Sequence, residues 1–317
     1  GFCFSGVYVT AESWLNNSAT NENRGQTLSV YMIVQMIGIV AAQGILVLGD
    51  PSGYILFIVP SVLVSIAFAP ILLSITPTPA FDTTKPMSLK QLFDASPLGV
   101  IGMFFLGGVF SAQFGMAAVY GGKAGLSVAQ ISMFVSAFYI GAMIMQYPLG
   151  FISDRIDRRF LILATAALGG IASLFVVLWA KDFYVLLAAA FMIGGTSNPL
   201  YSLFLAYTND FLEHEDMAAA SGGMVFINGL GAISGPIVTG WLMTTFGPGA
   251  FFGFIAALML AIAAYAAFRM TQRSAPSVDD TAGFQAIMPS ASPVFVEVAQ
   301  EIAIENAIEE QMDEYLP

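Results

Sequence analysis

Apolar residues run along this chain in long stretches, and glycine, proline and charged residues punctuate them. A helix that crosses a bilayer needs about 20 mostly apolar residues. Reading the runs between punctuation predicts nine such helices, over 1–15, 27–48, 54–74, 97–120, 128–149, 160–180, 184–207, 218–245 and 250–268. The longer connection, 75–96, opens on Thr76-Pro77-Thr78-Pro79, a break signal. It continues as Ser88-Leu89-Lys90-Gln91-Leu92-Phe93-Asp94, where Leu89, Leu92 and Phe93 fall at helical spacing. That pattern predicts a short amphipathic helix lying on the inner membrane surface.

Composition strengthens this all-α membrane reading. Of 317 residues, 57% are hydrophobic and only 10% charged, against about 25% charged in a soluble domain. The net charge of −11 is unevenly spread. Residues 274–317 hold nine acids and no Lys or Arg, whereas the rest of the chain holds twelve acids and ten bases. One Cys and one His exclude a disulfide framework and argue against a Cys/His metal site. There is no basic surplus for nucleic acid. No Gly-rich loop followed by Lys-Ser/Thr is present to hold a nucleotide, and no cofactor is implied.

The bases fix an orientation. Arg24, Lys85, Lys90, Arg155, Arg158, Arg159, Arg269 and Arg273 fall on one side of the predicted spans, and only Lys123 and Lys181 on the other. The positive-inside bias places the 75–96 connection and the C-terminus in the cytoplasm.

An internal repeat adds organisation. Gln35-x-x-Gly38 matches Asn228-x-x-Gly231 at an offset of 193, and Gly1 matches Gly194 at the same offset. The first three spans then correspond to the last three, and spans four to nine form a six-helix half. On this reading the organisation is 1–74, three helices of a first half; 75–96, the connection between halves; 97–270, a complete second half; and 271–317, an acidic cytoplasmic tail. The expectation is a chain truncated at its N-terminus, carrying nine of twelve helices.

The sharpest motif is Gly150-Phe151-Ile152-Ser153-Asp154-Arg155-Ile156-Asp157-Arg158-Arg159, between the second and third spans of the complete half. It resembles the loop motif of the major facilitator superfamily, Gly-x-Leu-(Ala/Ser)-Asp-Arg-x-Gly-Arg-Arg/Lys, with Ile152 in place of Leu and Asp157 in place of the second Gly. Glu12-Ser13-Trp14-Leu15, Arg24-Gly25 leading to Tyr31-Met32, and Gly231-x3-Gly235-Pro236 extend the likeness over residues 1–270, toward the YcaD-like branch of bacterial transporters. The resemblance implies a fold of two six-helix halves in the bacterial inner membrane. It implies movement of a small solute by alternating access, driven by a proton or solute gradient. The tail lies outside it.

Roles for individual residues follow from the same resemblance. Gly150 allows close approach. Asp154 would latch the N-terminal end of the helix that begins near Gly25–Leu28, where the helix dipole favours a carboxylate. Arg155, Arg158 and Arg159 would pair with Glu12 and Glu22 across the halves, or else merely set orientation and meet lipid phosphate. Glu12, about one turn inside its span, is a gate or proton-coupling candidate together with Arg24. Gln113, Asn198, Tyr201 and Asn228 are pathway candidates, with interhelical bonding as the alternative use. Gly231, Gly235 and Pro236 predict a small-residue face and a helix break. The loop acids Asp210, Glu213, Glu215 and Asp216 would face the missing half, and His214 among them reads as solvated. Glu297, Glu301, Glu305 and Glu309 repel one another at i, i+4, so the tail reads as a solvating segment. Two other classes stay open at this point: a polytopic membrane enzyme, for which no nucleophile–base set is evident, and a transporter-like sensor with the tail as output.

Overall fold

The computed structural model describes residues 7, 10–12, 14–15, 24–50, 53–73, 87–179, 182–212, 214–272, 284 and 286–287. All the regular structure among them is helical. The elements are α1 (Arg24–Val47), α2 (Ile55–Leu73), α3 (Leu89–Ala95), α4 (Pro97–Gly115), α5 (Ala117–Lys123), α6 (Val128–Ser153), α7 (Arg158–Trp179), α8 (Phe183–Asn209), α9 (His214–Phe246) and α10 (Ala250–Met270).

Local chemistry marks several starts. Ser88 and Gln91 form a reciprocal capping pair at α3, and Ser127 and Gln130 do the same at α6. The Ser96 hydroxyl accepts from the Gly99 N–H at α4, and the Asp182 carboxylate accepts from the Tyr184 and Val185 N–H groups at α8. The turns after α5 and α9 hold Gly125 and Gly247 at φ of 76° and 90°, a region other residues avoid.

Among the described residues, seven helices are long and apolar enough to cross a membrane: α1, α4 and α6 to α10. The expected span 1–15 lies mostly outside the described residues. The expected span 54–74 is α2, whose described apolar stretch, Ile55–Pro70, is shorter. The expected span 97–120 divides at Met116 into α4 and α5. The break lets Tyr120 pack against Phe134, Phe251 and Phe252, contacts that an apolar run cannot announce. The amphipathic helix at 88–94 forms as α3, but only Leu92 of its stripe is buried, against Gly223 of α9. Leu89 and Phe93 remain exposed.

Six helices, α4 and α6 to α10, make one bundle. Helix α4 packs on α9, α6 on α8 and α7 on α10, and α4 also crosses α8. Taking α4, α6, α7 as one triplet and α8, α9, α10 as another, first packs on second, second on first and third on third. This is the contact pattern of two related triplets about a two-fold axis. In the α4–α9 and α6–α8 pairs the backbones nearly touch. A Cβ added at Gly107 would collide with the Asn228 carbonyl, and one at Gly231 with that of Phe104. Gly141 meets the Phe191 carbonyl, and Gly194 that of Phe138, in the same way. Small residues at these contacts are what allow close packing where lipid supplies no hydrophobic drive between helices.

Helix α9 continues unbroken through Pro236, which corrects the expected break. A helical proline removes one backbone hydrogen bond, and here helix continues on both sides. The surrounding small residues serve contact instead: a Cβ on Gly235 would collide with the Ser111 hydroxyl of α4.

Helix α1 packs on α6 and runs antiparallel to it. The Ser132 hydroxyl, early in α6, donates to the Gln43 carbonyl late in α1. Met32 and Met36, in the first half of α1, share a cavity with Gln146 and Gly150 late in α6. Helix α2 is exposed along almost all of its described length.

Candidate functional site

The charged loop between α6 and α7 follows from its sequence. Helix α7 begins with Arg158 and Arg159, two cations at the end of a helix where the backbone dipole disfavours them. Carboxylates answer both. Asp157 accepts the Arg159 backbone N–H at 2.9 Å, satisfying a first-turn donor. The same carboxylate takes the Arg159 guanidinium, with Nη2 to Oδ2 at 2.7 Å. Burial works against the Asp157 charge, but the side-chain and backbone hydrogen bonds from Arg159 and its positive charge outweigh it. The carboxyl is held below its usual range. This gives Asp157, the departure from the superfamily glycine, a local use.

Arg158 is buried and reaches three elements. It pairs with Asp210 at the end of α8, whose side chain is also buried. Its Nε donates to the Ser153 hydroxyl at 3.2 Å, and its Nη2 lies 3.5 Å from Asp154 Oδ1. Arg158 thereby joins the ends of α6, α7 and α8. Arg155 turns back onto its own helix, donating to the Phe151 carbonyl at 2.8 Å and lying 3.5 Å over the Phe151 ring. The hydrogen bonds described above for the three arginines run to residues of the six-helix bundle, Asp210 among them.

Asp154 caps the end of α6. Its Oδ1 accepts the backbone N–H of Phe284 at 2.8 Å. Gly150, one turn earlier, has the Phe284 ring so near that a Cβ there would displace it. A cavity of about 500 Å³ opens beside these residues between α1 and α6. Met32, Met36, Met143, Gln146 and Asp154 line it, with Phe284 and Ala286 from the tail. Phe284, Ala286 and Ile287 thus lie against the bundle. The segment 294–316, read from its glutamates as a solvating tail, lies outside the described residues.

Glu12 is buried and accepts the Tyr31 hydroxyl at 2.9 Å, and Gln35 Nε2 reaches that hydroxyl at 3.4 Å. Arg24 is the first residue of α1, and its side chain, like Glu22, lies outside the described residues.

Two of the four pathway candidates, Gln113 and Tyr201, make contacts across the α4–α8 crossing. Gln113 Oε1 accepts the Ser197 hydroxyl at 2.8 Å, beside Asn198, and its buried Nε2 has no hydrogen-bond partner among the described residues. Tyr201 lies against the Phe110 ring, with centroids 6.2 Å apart. Asn198 Nδ2 donates to the Gly194 carbonyl of its own helix at 3.1 Å. Asn228 stands apart, donating across the α4–α9 seam to the Met103 carbonyl at 3.2 Å. Ten residues of α4, about 15 Å along the helix, separate Met103 from Gln113.

The motif pointed to the loop, Ser153 included, but not to Asp210, Ser202, Phe284 or Ile287. The one sequence trace of the last two is that residues 281–296 carry no charge inside an otherwise acidic tail.

The profile described as Major Facilitator Superfamily matches residues 99–304, reaching into the tail. Several curated relatives bear the name uncharacterized MFS-type transporter. YfkF of Bacillus subtilis (strain 168) is 28% identical over 257 residues, 78% of this chain and 65% of that protein. A Yersinia pestis (strain Pestoides F) relative is 26% identical over 257 residues, 79% of this chain and 65% of its own length. YcaD of Escherichia coli O6:K15:H31 (strain 536 / UPEC) is 27% identical over 260 residues, 80% of this chain and 65% of its own. The chain therefore spans about two thirds of the length of these relatives, 65% in each case.

Proposed function

The chain belongs to the Major Facilitator Superfamily, and from that premise we propose that it carries a small solute across the bacterial inner membrane by alternating access. It works as a transporter rather than an enzyme, coupled to a proton or solute gradient, with its C-terminus in the cytoplasm. The observation that carries this reading is the contrast around α6. Its seam with α8 is closed by backbone contact, whereas its seam with α1 holds the 500 Å³ cavity beside Asp154. A bundle tightly packed within itself and loosely met by α1 is suited to rocking against it.

On this reading, Asp154 is the latch. The antiparallel pairing puts the first half of α1 at the Asp154 end of α6, where Met32 and Asp154 share the cavity. The positive end of the α1 dipole therefore lies on the side of this carboxylate. Arg158, fixed by Asp210, holds the latch in place. Arg155 and Arg159 shape the loop. The buried Glu12, joined to α1 through Tyr31, is the gate or coupling group, with Arg24 at the start of α1. Gln113, Asn198, Tyr201 and Asn228 offer a neutral, weakly polar lining, which favours an uncharged or weakly polar solute.

Proteoliposomes carrying the chain test this against a panel of labelled small solutes. Flux of at least one solute above empty vesicles is expected, and Asp154→Asn should cut it by about tenfold while the protein inserts normally. Wild-type flux in that variant overturns the latch. Folded protein that moves no solute overturns the transporter reading.

A further inference from the structure

Three groups of observations converge on the tail segment at the Asp154 end of α6. The Phe284 N–H donates to Asp154 Oδ1 at 2.8 Å, and the Phe284 ring fills the space left by the missing side chain of Gly150. Three residues on, Ile287 is only 2% exposed. Its N–H donates to the Ser202 hydroxyl of α8 at 2.9 Å, and that hydroxyl donates back to the Ile287 carbonyl at 3.1 Å. Gln146 Nε2 of α6 donates to the same Ser202 oxygen at 3.0 Å. A hydroxyl has one hydrogen to give and two lone pairs to receive with, so Ser202 is saturated by this arrangement. Ser202 is itself buried. A departing strap would leave it without the group that takes its proton, a costly state for a buried polar atom.

We propose that Phe284, Ala286 and Ile287 are a built-in peptide ligand of the α6–α8 groove, a strap that walls the cavity between α1 and α6 and occupies Asp154. The chain around it suits that use. Residues 281–296 are uncharged, whereas acids flank them at Asp279, Asp280 and Glu297. A carboxylate in the strap would be repelled by Asp154 and could not be buried where Ile287 lies. The strap also competes with the latch. Asp154 serves either the Phe284 N–H or the N-terminal N–H groups of α1, so strap docking keeps the latch disengaged and strap release lets it engage. That consequence rests on the transporter reading; the docking itself does not.

The test uses the full chain with Cys3→Ser, purified in detergent. Gly150→Cys with Phe284→Cys should form an intramolecular disulfide under mild oxidation, since the Phe284 side chain stands where a side chain on residue 150 would reach it. Separately, Met36→Cys with Gly150 and Phe284 intact reports the cavity through its rate of reaction with a hydrophilic maleimide. Adding Ile287→Asp, which cannot be buried, should raise that rate by about tenfold or more. Absence of the disulfide, or equal maleimide rates with Ile287 and Ile287→Asp, overturns the strap. Neither readout needs a solute, so failure of solute flux leaves both interpretable.

Discussion

Helix α6 has two faces that behave as opposites. Toward α8 it presents Gly141, which touches the Phe191 carbonyl, and it receives Gly194 at its own Phe138 carbonyl. Toward α1 it presents Met143 and Tyr147, across a cavity from Met32 and Met36. The first face has no side chain at its closest points, so it has nothing to repack and one arrangement only. The second includes three unbranched thioethers, Met32, Met36 and Met143, which fill irregular space in several ways. On the proposed transporter reading, a helix shared by a fixed seam and an adaptable one would pass motion of α1 to the loop at its end while the bundle keeps its shape.

The largest expected effect breaks the fixed seam. Gly141→Leu drives a side chain into the Phe191 backbone. Overpacking costs about 1–3 kcal/mol where neighbours can shift, and more where they are backbone. Loss of monodisperse folded protein in size-exclusion chromatography is expected. Met36→Leu, on the other seam, conserves volume and should cost less than about 1.5 kcal/mol in thermal unfolding. Equal tolerance of the two would erase the distinction.

The next effect concerns how the loop is fastened to the fixed side. Arg158→Met leaves the buried Asp210 without its cation. Removing one partner of a buried pair costs about 3–5 kcal/mol, whereas replacing both with apolar residues is often neutral. Arg158→Met should therefore lower the unfolding midpoint sharply, and Arg158→Met with Asp210→Leu should restore most of it. A double variant as unstable as the single one would mean that Arg158 acts through Asp154 and Ser153 instead.

Much of this division was legible in the residues, for physical reasons. Lipid forces every span to be long and apolar, so the seven long helices stand out in sequence. Gly194 and Gly231, matched at one offset from Gly1 and Gly38, proved to be the residues at two backbone contacts. The motif marked the loop because Gly150, Asp154 and the arginines are close in sequence. Arg158 and Asp210 are 52 positions apart, and no local pattern joins them. The strap was hidden for a different reason. Glutamates at i, i+4 dominate the reading of the tail, while Phe284 and Ile287 show no periodicity and make their hydrogen bonds through backbone groups, which every sequence possesses. The division at Met116 was likewise set by where Tyr120 finds its aromatic partners.

The smallest expected effect lies on the rim of the fixed side, at Asp157. Its carboxyl is held below its usual range by Arg159, despite burial that opposes its charge. A lowered folded pKa means the unfolded chain takes up the proton first as pH falls. The stabilisation is complete above the unfolded carboxylate pKa of about 4, and it is lost as pH drops through the lower folded value. Asp157 is partly solvated, so screening limits the pair to under about 1 kcal/mol. Thermal midpoints measured from pH 7 downward should therefore show wild type slightly above Asp157→Asn at neutral pH, the gap closing below about pH 4. Curves that stay parallel would assign Asp157 to capping the α7 N–H alone, because an asparagine side chain can still accept that hydrogen bond at every pH. In that case the fixed side would owe its charge compensation at the loop to the buried Arg158–Asp210 pair, and the superfamily glycine would be replaced at 157 for helix geometry rather than for charge.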